Sequence, residues 1–175
     1  RDIDAATWQC AGGLARIAHS PGKGYGVFSK TVLAAGRVLG FYAGEHIGLA
    51  ELHARYGILG VIPSEKVEWQ RRWSEARQAR GVSVTGTFVY QVGTCPSSWR
   101  LLFIDAEDPL HANWTRFLNH SSRRPNLIIE KTWVEKKGSH TPLLRFVVHR
   151  PVCPGDELLF DYGDAFFEGA IDVQD

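Results

Sequence analysis

Arg116-Phe-Leu-Asn-His-Ser-Ser-Arg-Arg-Pro-Asn126 is the stretch on which the reading of this chain turns. An aromatic and aliphatic pair, Phe117-Leu118, runs straight into an amide, an imidazole and a hydroxyl, Asn119-His120-Ser121. Polar groups placed next to apolar anchors need partners, so this pattern suggests a half-buried polar site. Asn, Ser and Pro are also ordinary turn residues, and taken alone the stretch fits a plain turn equally well.

Other segments stand around it at suitable spacing. They are Gly22-Lys-Gly-Tyr-Gly-Val-Phe-Ser29, Phe41-Tyr-Ala-Gly-Glu45, Phe103 to Trp114, and Gly155-Asp-Glu-Leu-Leu-Phe-Asp-Tyr-Gly-Asp164. In this order the segments resemble the SET-domain family of protein lysine methyltransferases. The resemblance covers 15–164, with a variable insert over about 47–83, an N-terminal flank over 1–14 and a tail without Cys over 165–175.

The bulk composition agrees with one domain. The 175 residues are 44% hydrophobic with a formal net charge of +1, enough to bury a core and with no charge excess that demands nucleic acid. No apolar run reaches the roughly 18 residues of a spanning helix, and no signal peptide opens the chain. The absence of Met, even at position 1, is expected of a piece of a longer or processed protein. Cys10, Cys95 and Cys153 are far apart and form no metal-ligating pair, as expected for reduced thiols in an intracellular protein.

Taken along the chain, Leu14 to His19 alternates as a strand. Pro21 to Gly26 reads as irregular, its three glycines allowing a ligand close to the backbone. It has neither phosphate-loop nor dinucleotide-loop spacing. Val27-Phe28 and Val38 to Ala43 read as strands. Leu49, Leu52 and Tyr56 fall at helical spacing before Gly57. Ser64 to Arg80 reads as a second helix capped by Ser64 and ended by Gly81. Trp69, Trp73 and Ala76 share one face of it, and Arg71, Arg72, Arg77 and Arg80 make a solvated basic face. Phe88 to Val92, Leu101 to Asp105, a hairpin of Leu127 to Val134 with Leu143 to Val148, and Glu157 to Phe160 complete a set of short strands. His140 and His149 lie near strand ends and are not read as ligands. The expected fold is mostly β with short helices, small sheets around a knot-like core in the SET manner.

The resemblance implies roles for particular residues. Lys23, Gly24 and Tyr25 contact S-adenosylmethionine through the backbone, joined by Arg116, Asn119 and His120. Tyr162 is the catalytic tyrosine and also touches the cofactor. Tyr42, with a catalytic part of its own, walls the lysine channel together with Phe160 and Tyr162. Arg116 is further expected to form a buried ion pair with Asp161. Many family members carry a Cys after the Asn-His-Ser triplet and a Cys-rich tail that bind zinc. Here Ser122 stands in that place and no Cys follows Cys153, so no metal is expected. Phe166 and Phe167 are the candidates to cover the cofactor in place of that tail. Ala112-Asn-Trp114 and Tyr162-Gly-Asp164 resemble the PR-type branch, while Asn119-His-Ser121 keeps the standard pattern.

Methyl transfer to a lysine amine needs a neutral nitrogen, an in-line approach at about 3–3.5 Å, and exclusion of water. An aromatic channel serves the first and last needs, because desolvation lowers a lysine pKa. The implied function is a lysine methyltransferase using S-adenosylmethionine on a histone tail, with product beyond monomethyl-lysine. The implied partner is a protein or histone peptide that adds as a strand beside an exposed edge such as Phe88 to Val92. A monomer without direct nucleic-acid or membrane contact is expected, in the nucleus if the substrate is a histone. The competing readings are a non-catalytic PR/SET-like interaction module, a methyltransferase of a non-histone protein, and an unrelated β-rich binding domain.

Overall fold

Short strands dominate the computed structural model, which describes residues 10–57, 61–136 and 138–163. By its internal contacts the chain divides into two units, 1–42 with 113–132 and 143–175, and 43–112 with 133–142.

The first unit begins with a hairpin of β1 (Ala15–Ser20) and β2 (Gly24–Ser29). The two strands pair antiparallel from Ala15 opposite Ser29 to Ser20 opposite Gly24. The irregular segment expected over Pro21 to Gly26 is therefore confined to three residues. Gly22 and Gly24, at φ of 74° and 77°, close the turn early, and Tyr25 and Gly26 continue the ladder. Next comes β3 (Val38–Phe41), which pairs antiparallel with β9 (Ser139–Val148). Gly40 lies in β3 because an added Cβ would stand only 3.0 Å from the indole of Trp114.

The sheet to which β3 belongs runs β3-β9-β8-β10-β7, with β7 at Asn119–His120, β8 at Leu127–Lys136 and β10 at Leu159–Phe160. Strand β10 is parallel to both neighbours, pairing Leu159 with Asn119, Phe160 with His120, and Phe160 with Leu127. Strand β10 is thus inserted between two strands that precede it and follow one another in sequence. In this sense the core is knot-like, a departure from ordinary connection rules. Val27, Leu33, Leu118, Leu127, Phe146, Val148, Val152 and Leu158 are all at most 1% exposed and form the core of this unit. Each such side chain stabilises the fold by about 1.5–3 kcal/mol relative to exposure.

The second unit holds β4 (Glu45–Gly48), α1 (Leu49–Tyr56), α2 (Val67–Ala79), β5 (Val89–Thr94) and β6 (Leu101–Asp105), with sheet order β4-β6-β5. Helix α1 stops where Gly57 takes φ 78°, as its sequence predicts. The second helix differs at its start. Ser64 opens a short 3-10 turn, Ser64–Lys66, and α2 begins at Val67 without a side-chain cap. The hydroxyl of Ser64 instead approaches the neighbouring Glu65 carboxylate at 3.4 Å.

The basic face of α2 also divides. Arg71 and Arg72 are solvated and pair with Glu68 and Glu75 one turn away. Arg77, by contrast, is 4% exposed and bonds Glu45, while its guanidinium lies 4.6 Å over the Trp73 ring. Arg80 pairs with the buried Asp108 at 2.7 Å. Helical periodicity assigns these arginines to a face but not to what lies opposite, and here acidic partners on other elements draw Arg77 in and pair with Arg80, which stays exposed.

At the centre of that unit Asp105 is 0% exposed. Its Oδ2 accepts from Arg55 Nη1 at 2.6 Å and from the Tyr56 hydroxyl at 2.7 Å, and its Oδ1 accepts from the Glu107 N–H at 3.0 Å. Arg55 further donates to Glu45 at 2.9 Å and Glu51 at 2.6 Å. Burial alone would raise the Glu45 pKa, but Arg55 and Arg77 outweigh it and hold the carboxyl below its usual range. Asp108 behaves alike, with burial overcome by Arg80. Both groups have pKa values lower in the folded than in the unfolded chain. Their contribution is complete above the unfolded carboxylate pKa of about 4 and is lost as pH falls toward the depressed folded values. Unfolding in urea followed from pH 6 to pH 2 should show stability declining below about pH 4, with a shallower decline in Glu45→Gln. An identical slope in that variant would remove Glu45 from the account.

Candidate active site

The site is assembled on the paired strands β7 and β10. Asn113 prepares the approach. Its Oδ1 accepts from the Thr115 N–H at 3.0 Å and caps the 3-10 turn Trp114–Phe117, while its Nδ2 donates to the Phe41 carbonyl at 2.8 Å. Thr115 adds its hydroxyl to the same carbonyl at 3.3 Å. These bonds secure the end of β3 just before Tyr42, whose own N–H donates to the Leu144 carbonyl at 2.9 Å.

Beyond that turn the chain extends into Asn119-His120. Asn119 Nδ2 donates to the Tyr25 carbonyl at 3.0 Å and to Glu157 Oε1 at 2.8 Å. The His120 carbonyl accepts from Lys23 Nζ at 2.8 Å. Its ring Nδ1 accepts from the Tyr162 N–H at 3.1 Å, so a neutral ring carries its proton on Nε2. Tyr162 turns its ring against that imidazole, with centroids 5.2 Å apart, and donates its hydroxyl to the Leu118 carbonyl at 2.7 Å. Burial, and after it the nearby Glu157 charge, push the Tyr162 pKa well above the usual phenol value. The phenol therefore stays protonated at neutral pH, and that proton is committed to Leu118.

A run of aromatic rings leads away from Tyr162. Phe160 lies 4.6 Å from it, Phe146 lies 4.9 Å from Phe160, and Tyr42 lies 6.2 Å from Phe146. The channel residues expected from sequence, Tyr42, Phe160 and Tyr162, are thus linked through Phe146, which strand periodicity alone does not set apart from its neighbours. Phe160 and Tyr162 meet as strand alternation predicts, although β10 ends at Phe160 and Tyr162 is held by its bonds to His120 and Leu118.

Of the remaining expected residues, Gly24 and Tyr25 lie at the start of β2, with the Tyr25 ring 6.4 Å from Phe117. Arg116 sits in the 3-10 turn with its guanidinium 5.6 Å from the Phe117 ring centroid. The buried ion pair expected between Arg116 and Asp161 is corrected. The Asp161 side chain is 52% exposed and faces His120 Nδ1 at 3.7 Å. Residue 161 follows the end of β10, where the chain leaves the sheet, so its carboxylate remains in solvent. Phe166 and Phe167 lie outside the described residues. Among the described residues no cluster of three or more His, Cys, Asp or Glu could hold a metal ion.

Glu157 is the residue that sequence reading overlooked. Its carboxylate fills the space where Gly26 lacks a Cβ, and an added methyl there would collide with Glu157 Oε1. Beside its place in the Gly155 to Asp164 segment, the hint in the sequence is a third glycine, Gly26, after the turn is already closed by two.

The chain is similar to known proteins over most of its length. Mouse histone-lysine N-methyltransferase SETMAR (Mus musculus) is 25% identical over 153 residues, 87% of this chain and 41% of that protein. The rat protein of the same name (Rattus norvegicus) is 24% identical over 153 residues, 87% of this chain and 40% of that protein. The chain therefore spans about two fifths of the length of these curated relatives. The crystal structure of CpSET8 from Cryptosporidium shares the fold with a TM-score of 0.55 at 24% identity, covering 86% of this chain and 57% of that one. A SET-domain family profile matches residues 24–163, well over half of the sequence, and the chain accordingly belongs to the SET-domain family.

Proposed function

We propose that this chain is a protein lysine N-methyltransferase that uses S-adenosylmethionine and acts on a histone tail lysine. The observation that carries this reading is the bonded unit of Leu118, Asn119, His120 and Tyr162 beside the aromatic run to Tyr42. The names of the mouse and rat relatives support the substrate class.

The donor set suits the proposed cofactor. Both acceptors facing Asn119 take protons from its Nδ2, which turns Oδ1 the other way as an acceptor for an ammonium or hydroxyl. Lys23, Gly24, Tyr25, Asn119 and His120 would hold the cofactor, with Arg116 beside them. When bound, S-adenosylmethionine supplies a methyl group on a positively charged sulfur. Tyr162, its proton given to Leu118, keeps oxygen lone pairs that can accept from an amine N–H and orient its nitrogen. Tyr42, Phe160 and Tyr162 would offer an apolar wall, backed by the fully buried Phe146, that excludes water and favours the neutral amine. Among the described residues β5 has one sheet neighbour, β6, and its other edge is the proposed place for a substrate strand. A histone substrate implies a nuclear protein. Among the described residues no helix is long and apolar enough to cross a membrane.

The test is transfer of labelled methyl from S-adenosylmethionine to a panel of histones and histone peptides. Transfer at lysine is expected. Cofactor binding without transfer to any protein substrate would favour a non-catalytic interaction module, and no cofactor binding would reject the reading.

The number of methyl groups follows from Phe160. It is 4% exposed and packed between Phe146 and Tyr162, with no hydroxyl to retain a water near the amine. A poorly held water is readily displaced by a methyl group. Mass spectrometry at exhaustive turnover should therefore find di- or trimethyl-lysine for the wild type, shifted toward monomethyl-lysine in Phe160→Tyr. A wild-type product that stops at one methyl would discard this role for Phe160.

A further inference from the structure

We propose that Glu157 is a positioning residue that locks the Asn119 side-chain amide in the one orientation able to receive the methyl donor. This rests on the reading that Asn119 meets that donor. An Asn amide has two faces of opposite character, and a half-turn exchanges its donor for its acceptor. At Asn119 the choice is made by two oxygens, the Tyr25 carbonyl at 3.0 Å and Glu157 Oε1 at 2.8 Å, both taking protons from Nδ2. A half-turn would break both bonds and set the amide oxygen against a carbonyl and a carboxylate. An ionised carboxylate is an acceptor only, so Glu157 cannot adapt to the reversed amide by rotating.

The fold holds Glu157 in place on both sides. Asn126 Nδ2 donates to its carbonyl at 2.7 Å, and the next residue, Leu158, donates its N–H to the Val27 carbonyl at 2.7 Å. Gly26 supplies the room for its carboxylate, since a Cβ there would also stand 3.0 Å from Asn119 Nδ2. A carboxylate serving only to fill space would not need its backbone secured on two sides and a glycine opposite its tip.

The experiment is a double-mutant cycle read by titration with S-adenosylmethionine, with melting temperature recorded for each protein. Glu157→Ala and Asn119→Ala are each expected to raise Kd about tenfold, the scale of one hydrogen bond to a charged group. The double variant should bind about as weakly as Asn119→Ala alone, because Glu157 acts through Asn119. In cofactor-free protein, the Asn119 side-chain amide protons should exchange with solvent faster in Glu157→Ala than in wild type. An equal loss of affinity from Glu157→Ala with and without Asn119 overturns the Glu157 proposal while leaving Asn119 as a cofactor residue. Wild-type affinity in Asn119→Ala overturns the underlying reading and the proposal with it. Should Glu157→Ala fail to fold, Gly26→Ala displaces the same carboxylate. It should raise Kd by a similar factor, and that loss must vanish in the Asn119→Ala background. A loss that persists there overturns the proposal.

Discussion

Tyr162→Phe is expected to lower the turnover of lysine methylation by about 100-fold or more while leaving the fold intact, the scale seen when one preorganised polar group is removed from an active site. The ring remains, and with it the contacts to His120 and Phe160. What disappears is the oxygen, together with its bond to the Leu118 carbonyl. That lost bond is worth about 1 kcal/mol, so the melting temperature should fall by only a few degrees. Cofactor affinity should change less than turnover, which would separate an effect on the reacting amine from one on donor binding. Burial and the Glu157 charge keep the phenol protonated, so no ionisation of Tyr162 should appear in the pH–rate profile below pH 10. Wild-type turnover in Tyr162→Phe, with binding unchanged, would strip Tyr162 of its proposed role.

The largest effect on stability is expected from Asp105→Ala. This carboxylate is fully buried and carries Arg55, the Tyr56 hydroxyl and the Glu107 N–H at once. Removing it leaves a buried guanidinium short of one counter-charge and takes away the carboxylate that accepts from the Tyr56 hydroxyl and the Glu107 N–H. Breaking a buried pair in this way costs about 3–5 kcal/mol, because the stranded partners remain desolvated. A domain of this size holds about 5–15 kcal/mol in all, and the melting temperature should fall on the order of 10 °C. Asp105→Asn, which keeps the shape and an acceptor but not the charge, should fall between the two. A change of no more than a degree or two in Asp105→Ala would mean that Glu45 and Glu51 suffice for Arg55.

The sequence determined a good deal unaided. Alternating apolar residues marked most of the strands, helical spacing and Gly57 marked α1, and the order of motifs from Lys23 to Tyr162 marked the family. Those signals are local, or they are matches of residue type along a line, and a linear text records both. Where local signals mislead, the cause is equally physical. Pro21 to Gly26 looked irregular because glycine allows many conformations, and only the pairing with β1 selected the strand. Ser64 looked like a cap because its residue type favours caps, yet the tighter turn of Ser64–Lys66 took its place.

Tertiary structure decided the rest. Nothing near Leu159-Phe160 says that this pair will lie between Asn119-His120 and Leu127, all far earlier in the chain. That insertion sets Tyr162 against His120, brings Glu157 to Asn119, and aligns Phe160 with Phe146. In the second unit Arg77 looked like one more solvated cation until Glu45 and Trp73 were found facing it. Residue type limits which bonds a side chain can make. Which bond it makes depends on the neighbours that distant pairing supplies, because a buried polar group must find its partner in whatever the fold has placed within about 3 Å.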